Sequence, residues 1–397
     1  MARILQVCNN DFYLMHFLAP LVRRLRESGH QVECVCDGAE LDFSRLGGEL
    51  PVHQLDFPVS NSPREFLRCI GGLRKIIRDG SFDCVNSHNR SASIVGRVAA
   101  WAEGVQVNLY TAHGYYFHDD QHKVVREATI GLEALLARIT DFTLSQSDED
   151  AERMLTRGFV NEGTIQVIGN GIDTARFAPR EVGARSSLEH RLGLSPERFR
   201  VVSTGRLVRA KGFTDVLRAF AELRKSTPNA EFVIVGGNIA RDIEPYQKQF
   251  FELARELGVD GHVVVTGIVQ RVEDYLAVSD AFVLASYREG LPRAMLEAMS
   301  MQLPVVVTAI RGCRQVIEHG VDGYLFPPHD VNRLTELLSA LSRDGALRAR
   351  MGEAARRKVC SLYDERDYVE RQVRCMTRLL GDPREQPVTA DHPVMCA

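Results

Sequence analysis

The feature that most constrains this chain is a regular alternation of short apolar runs with longer amphipathic segments. The first half carries "RILQVC" (3–8), "QVECVC" (31–36), "FDCVNS" (82–87), "VQVNLYTA" (105–112), "DFTLSQ" (141–146) and "TIQVIG" (164–169). The second carries "RVVSTG" (200–205), "AEFVIVG" (230–236), "HVVVTG" (262–267), "DAFVLAS" (280–286), "LPVVVT" (303–308) and "GYLFP" (323–327). Strands without polar alternation, spaced by helical segments, imply parallel sheets covered on both faces. The fold class is therefore α/β.

The 397 residues amount to about two domains. A boundary falls near 170, where "NGID" (170–173) is turn chemistry and the following "TARFAPREVGARSS" is polar and irregular. We expect a first Rossmann-like domain over 1–170, a linker and hinge over 171–199, and a second Rossmann-like domain over 200–363. A final helix over 364–380 can cross back to the first domain. The tail 381–397, with three prolines and no periodicity, reads as disordered. A ligand is expected in the cleft between the two domains.

Charge and cysteine content exclude several classes. A formal charge of −3 does not favour nucleic acid as a partner. Nine scattered cysteines, without a CxxC pair, argue for a reducing compartment and against a structural zinc. The opening "MARILQVC" reads as a strand rather than a signal peptide, and no apolar run is long enough to span a bilayer. The expected location is cytoplasmic, or peripheral on the cytoplasmic face of the inner membrane.

Chemistry concentrates in two stretches of the second half. In "STGRLVRAKGFTDVLRAF" (203–220), Gly205 and Gly212 bracket a loop carrying Arg206 and Lys211. Ligands bind beyond the carboxyl ends of parallel strands, and two cations there suit a diphosphate. Taken singly, each is more often a solvated loop charge. In "REGLPRAMLE" (288–297), Glu289 is expected on a strand-to-helix turn and Pro292 in the first helical turn. Glu297 is then expected roughly two turns into the helix. A helix start offers free N–H groups and a positive dipole end to phosphate, here around Gly290 and Leu291. A nucleotide sugar fits this spacing, with Glu289 on the sugar, amides on the diphosphate and Glu297 on the ribose. The competing reading is one surface acid and one helix-face acid.

"REGLPRAMLEAM" resembles the E-x7-E motif of retaining glycosyltransferases of family 4, which have the GT-B fold. "STGRLVRAKG" resembles that family's donor-phosphate loop, "VIGNGIDTARFAP" (167–179) its hinge and "GVDGYLFPPHD" (320–330) its late strand and loop. "NLYTAHGYYFH" (108–118) and "IRGCRQVIEHGVDGYL" (310–325) are similar to bacterial enzymes that extend lipid-linked saccharides for capsule, exopolysaccharide or glycan pathways. The resemblance implies a nucleotide-sugar donor, with UDP as nucleotide, and a saccharide or lipid-linked saccharide acceptor. It implies retaining transfer of a hexosyl or N-acetylhexosaminyl group. His113 would be the cleft-facing histidine of the first domain, Glu289 would contact the donor sugar, and Glu297 the ribose. Arg206 and Lys211, with Gly290 and Leu291, would hold the diphosphate. Where relatives carry a Gly-Gly loop after the first strand, this chain has "CNNDFYLMHF" (8–17), so Asn10, Phe12 and Tyr13 are candidates for an acceptor site.

Rival readings fit less well. A glycosidase needs an acid of raised pKa, but a helix N-terminus beside Glu289 favours the ionised form. A nicotinamide dehydrogenase lacks its G-x-G-x-x-G after the first strand. A GT-B epimerase or a non-catalytic nucleotide-sugar-binding subunit remains as the alternative. No metal or organic cofactor is called for: in "DED" (148–150), Ser147 and Asp150 make a helix capping pair rather than a cation site. Finally, "SPREFLRCIGGLRKIIRDG" (62–80) places Phe66, Ile70, Leu73 and Ile77 on one helical face. Five cations against two acids give it a local charge of +3, suited either to an anionic membrane surface or to an ordinary solvated face.

Overall fold

The computed structural model describes residues 1–38, 50–60, 62–115, 122–180, 183–237 and 246–381. The tail beyond 381 lies outside them. The chain divides into two compact units, Met1–Ile168 with the chain from Asp367 onward, and Gly169–Arg366.

In the first unit seven strands form one sheet: β1 (Arg3–Val7), β2 (Gln31–Cys36), β3 (Val52–Gln54), β4 (Cys84–Ser87), β5 (Val107–Ala112), β6 (Phe142–Ser145) and β7 (Ile165–Val167). Their order is β3-β2-β1-β4-β5-β6-β7, and every pairing is parallel. In the second unit β8 (Phe199–Thr204), β9 (Ala230–Val235), β10 (Val263–Val265), β11 (Ala281–Leu284), β12 (Val305–Thr308) and β13 (Tyr324–Phe326) take the order β10-β9-β8-β11-β12-β13, again all parallel. Both are doubly wound Rossmann-like units.

The strands lack polar alternation because both faces of each sheet are covered. Ile4 packs with Leu21, Leu25, Val373 and Met376, while its neighbour Leu5 packs with Leu73, Ile77, Val95 and Ala99. Val202 and Val201 divide in the same way between Leu296 with Met299 and Phe220 with Leu334. Every apolar run named above contains a strand. The element missed is β3, a three-residue edge strand pairing Val52 with Cys34. Its half-exposed "VHQ" gives no run long enough to recognise.

Polar groups in the interior are partnered where they anchor elements. The guanidinium of Arg200, fully buried on β8, lies 2.9 Å from Glu189 and 2.8 Å from Glu231. Ser147 caps the helix Asp148–Thr156, its Oγ accepting from the Asp150 amide at 3.3 Å, as the sequence suggested. Asp150 in turn accepts from the Tyr115 amide at 3.3 Å. A parallel sheet delivers all its strand ends to one edge, and the chemistry-bearing residues gather at those edges.

Candidate functional site

In the second unit, the loop after β8 and the loop after β11 meet. Gly205 and Gly212 both adopt positive φ, and a Cβ on Gly212 would stand 2.0 Å from the Ala285 carbonyl oxygen. The backbone can approach this closely only because glycine stands there. Tyr287 closes the contact by donating its amide to Ala210 O at 3.0 Å. The result brings Lys211 Nζ within 2.6 Å of Glu289 Oε1, both side chains largely buried. Arg206 lies exposed on the same loop.

The helix after β11 runs over Arg293–Ser300, and Pro292 is its N-cap rather than a member of its first turn. Its φ of −72° and ψ of 112° are extended, and its carbonyl accepts from Met295 and Leu296. A proline N-cap supplies no side-chain acceptor to the first helical amides. The amides of Gly290 and Leu291 likewise meet no acceptor among the described residues. Glu297 is the fifth helical residue, just over one turn in rather than roughly two. It is half-buried, and desolvation pushes its carboxyl up from the ordinary range, against the opposing pull of Arg293 and Arg176. Its carboxylate makes no hydrogen bond or ion pair among the described residues.

Two residues that pattern reading passed over position this loop. Asn170, buried in the "NGID" turn, donates from Nδ2 to Leu291 O at 3.0 Å. Gly312, at φ 77°, leaves room for the Gly290 carbonyl, which a Cβ would meet at 1.5 Å. Turn chemistry marked the first place and a family resemblance the stretch that holds the second, but neither said what these residues touch.

In the first unit, Asn10, Tyr13 and His113 come together. Asn10 caps the helix Asp11–Tyr13, its Oδ1 accepting from the Tyr13 amide at 2.7 Å. Tyr13 Oη lies 2.5 Å from His113 Nε2, just past the end of β5. Phe12 does not join them; it is exposed and stacks on His16 at 4.0 Å. His88, at the end of β4, was not singled out by sequence, although its place beyond a parallel strand's carboxyl end was a usable signal. Its Nδ1 is 3.0 Å from His113 Nε2.

The segment 62–80 forms a helix over Pro63–Gly80, with Cys69, Leu73 and Ile77 buried and Phe66 and Ile70 packed beside them. Arg74 and Arg78 both pair with Glu103, at 2.6 and 2.9 Å, so the exposed face is less basic than the segment's own count. Arg64, Arg68, Lys75 and Leu67 remain exposed on it. Among the described residues no helix is long and apolar enough to cross a membrane.

Two doubly wound units, one with an acid–lysine pair ahead of a helix start, are the architecture of the GT-B fold. A family model described as "Glycosyltransferase Family 4" matches residues 17–176, and one described as "Glycosyl transferases group 1" matches 185–358. The chain belongs to this family-4 type of glycosyltransferases. Among known proteins, the UDP-Gal:alpha-D-GlcNAc-diphosphoundecaprenol alpha-1,3-galactosyltransferase of Escherichia coli is 29% identical over 302 residues, 75% of this chain and 76% of that one. EpsD of Bacillus subtilis is 25% identical over 93% of this chain and 94% of its own. Sucrose-phosphate synthase of Thermosynechococcus elongatus has the same fold at a TM-score of 0.80 and 18% identity, covering 96% of this chain and 99% of that one. HepE of Anabaena, solved with UDP-glucose, superposes at a TM-score of 0.78 and 18% identity, over 95% of this chain and 100% of that one.

Proposed function

We propose that the chain is a retaining glycosyltransferase that moves a hexosyl or N-acetylhexosaminyl group from a UDP-sugar to a lipid-linked saccharide in bacterial surface polysaccharide or glycan assembly. The observation that carries this reading is the Lys211–Glu289 pair, set ahead of Glu297 and beside the Gly290 and Leu291 amides, which meet no acceptor among the described residues. The second unit takes the donor and the first takes the acceptor. Arg206 and Lys211, with those amides, bind the diphosphate; Glu289 accepts from the sugar hydroxyls; Glu297 accepts from the ribose. Support for the donor comes from HepE, solved with UDP-glucose, and for the acceptor from the galactosyltransferase named for a diphosphoundecaprenol-linked sugar.

In the reaction the bond between the sugar's anomeric carbon and the diphosphate oxygen breaks. The acceptor oxygen bonds to that carbon on the same face, and its proton passes to the leaving diphosphate. Cations and amides fixed around the diphosphate stabilise its developing charge without reorganising. Glu289, beside the sugar, stabilises the positive charge that gathers on the ring.

Calorimetry with UDP beside steady-state rates tests the roles. Glu289→Gln loses charge-assisted bonds to the sugar, each worth about 1.5–3 kcal/mol, so turnover falls while UDP affinity holds. Glu297→Gln weakens donor and bare UDP alike, since both contain ribose. The opposite pattern reverses the ligand. UDP binding without transfer to any saccharide makes the chain a non-catalytic nucleotide-sugar-binding subunit, and a product of inverted anomeric configuration overturns the retaining mechanism.

A further inference from the structure

Behind His113 a chain of buried polar side chains crosses three adjacent strands. Thr111 Oγ1 on β5 donates to Asn86 Oδ1 on β4 at 2.9 Å, and Asn86 Nδ2 donates to Gln6 Oε1 on β1 at 3.0 Å. His88 Nε2 approaches the same Gln6 oxygen at 2.8 Å. Gln6, Asn86, His88 and Thr111 are all fully buried. No apolar-core argument explains four polar residues here, since each needs a partner to offset its desolvation; of their polar atoms only Gln6 Nε2 has none among the described residues.

The chain of bonds has a direction. With the Gln6 amide oxygen turned to Asn86 and His88, as it stands, His88 Nε2 carries a hydrogen. Burial, reinforced by the neighbouring His113, holds the His88 pKa well below its ordinary value, so the ring is neutral and its Nδ1 is bare. That bare nitrogen lies 3.0 Å from His113 Nε2. Two lone pairs at this distance repel, so His113 Nε2 must carry the hydrogen. Tyr13 Oη, 2.5 Å from the same nitrogen, then shares that one hydrogen as a second acceptor.

We infer that His88 is a positioning residue for the transfer, its Nδ1 fixing His113 in the Nε2–H tautomer and holding its ring at the end of β5. This rests on the reading that His113 acts at the saccharide site. Partners that set the tautomer of a functional histidine are worth about 10–100-fold in activity in metal sites, and more in a catalytic triad.

Two substitutions separate positioning from mere filling of the interior. Asparagine at 88 places an oxygen where Nδ1 stands and gives up the contact with Gln6. Glutamine reaches the Nε2 position and gives up the contact with His113. His88→Asn is expected to retain turnover within about threefold, and His88→Gln to lose about tenfold or more with the donor KM little changed. The reverse order, with His88→Gln active and His88→Asn impaired, would show that His88 only satisfies Gln6 and overturns the inference. Nitrogen-15 spectra of histidine-labelled wild-type protein give a readout independent of activity and of variant folding. Expected is His113 protonated on Nε2 and bare on Nδ1; a hydrogen on His113 Nδ1 with a bare Nε2 overturns the assignment. Absence of transfer from every sugar donor would count against the glycosyltransferase reading, while the tautomer spectrum still decides the role of His88.

Discussion

Glu289 and Glu297 are the same residue type eight positions apart, yet the fold treats them oppositely. Glu289 is paired with Lys211 at 2.6 Å. Glu297 has no such partner among the described residues, and desolvation raises its pKa above 4.5. The sign of the stability effect follows from linkage. Below pH 4.5 the carboxyl is protonated whether folded or unfolded, and nothing is lost. As pH rises from there through the raised folded value, the unfolded chain releases the proton first, so stability falls. Glu297→Gln is therefore expected to raise the melting temperature of the ligand-free protein at neutral pH, by about 2–4 °C for each kcal/mol regained. The difference from wild type should shrink as the pH approaches 4.5, and equal melting curves at neutral pH would show that burial imposes no penalty. The same substitution weakens UDP binding in our reading, as expected where a binding group is held in an unfavourable environment. Sequence located both acids. It could not say which one would find a cation, because Lys211 is 78 positions away from Glu289.

At the scale of elements, the loops after β8, β11 and β12 depend on one another's backbone. Gly312 shows the dependence most sharply, since its left-handed φ and the Gly290 carbonyl both exclude a side chain. Gly312→Ala combines left-handed strain of about 1–3 kcal/mol with a clash that only loop movement relieves. The loop that moves carries Glu289. We expect the donor KM to rise and turnover to fall by about tenfold or more, since a displacement of about 1 Å at a reacting centre can cost about a hundredfold. The far-ultraviolet circular dichroism should be unchanged, because neither residue belongs to a strand or helix. Wild-type kinetics in this variant would mean that the Gly290–Leu291 backbone does not position the donor. Element type was legible in the sequence because periodicity and length are local properties. The place of Pro292 was not: proline suits both the N-cap and the first turn, and only the path of the chain from β11 selects the N-cap.

At the scale of the whole molecule, charge neutralisation governs two expectations. If Arg206, Lys211 and the amides ahead of the 293–300 helix suffice for the leaving diphosphate, transfer should survive excess EDTA. Loss of turnover on chelation, restored by magnesium or manganese, would contradict that assignment. The second expectation concerns anionic lipid at the Pro63–Gly80 helix. Since Glu103 holds Arg74 and Arg78, the exposed cations to test are Arg64, Arg68 and Lys75. Each basic residue near an anionic surface is worth about 1 kcal/mol, so changing all three to Ser should reduce vesicle binding more than tenfold at low salt. Wild-type binding should also weaken as salt rises. Binding that ignores both changes would leave this helix only its role of covering the sheet.

The sequence by itself determined the α/β class, the parallel sheets and the stretches that hold Arg206 with Lys211 and Glu289 with Glu297. Those follow from short-range patterns: unalternated apolar runs, intervening amphipathic helices, and acids or glycines at fixed spacing around a helix start. Tertiary structure alone decided which distant side chains meet. The pairing of Lys211 with Glu289, the grip of Asn170 on Leu291, and the relay from Thr111 through Asn86, Gln6 and His88 to His113 all join residues far apart in the chain or on separate strands. The physical reason lies in the parallel sheet. It stacks strands that are distant in sequence and delivers their ends to one edge, so the contacts there depend on strand order and register, which no local pattern encodes.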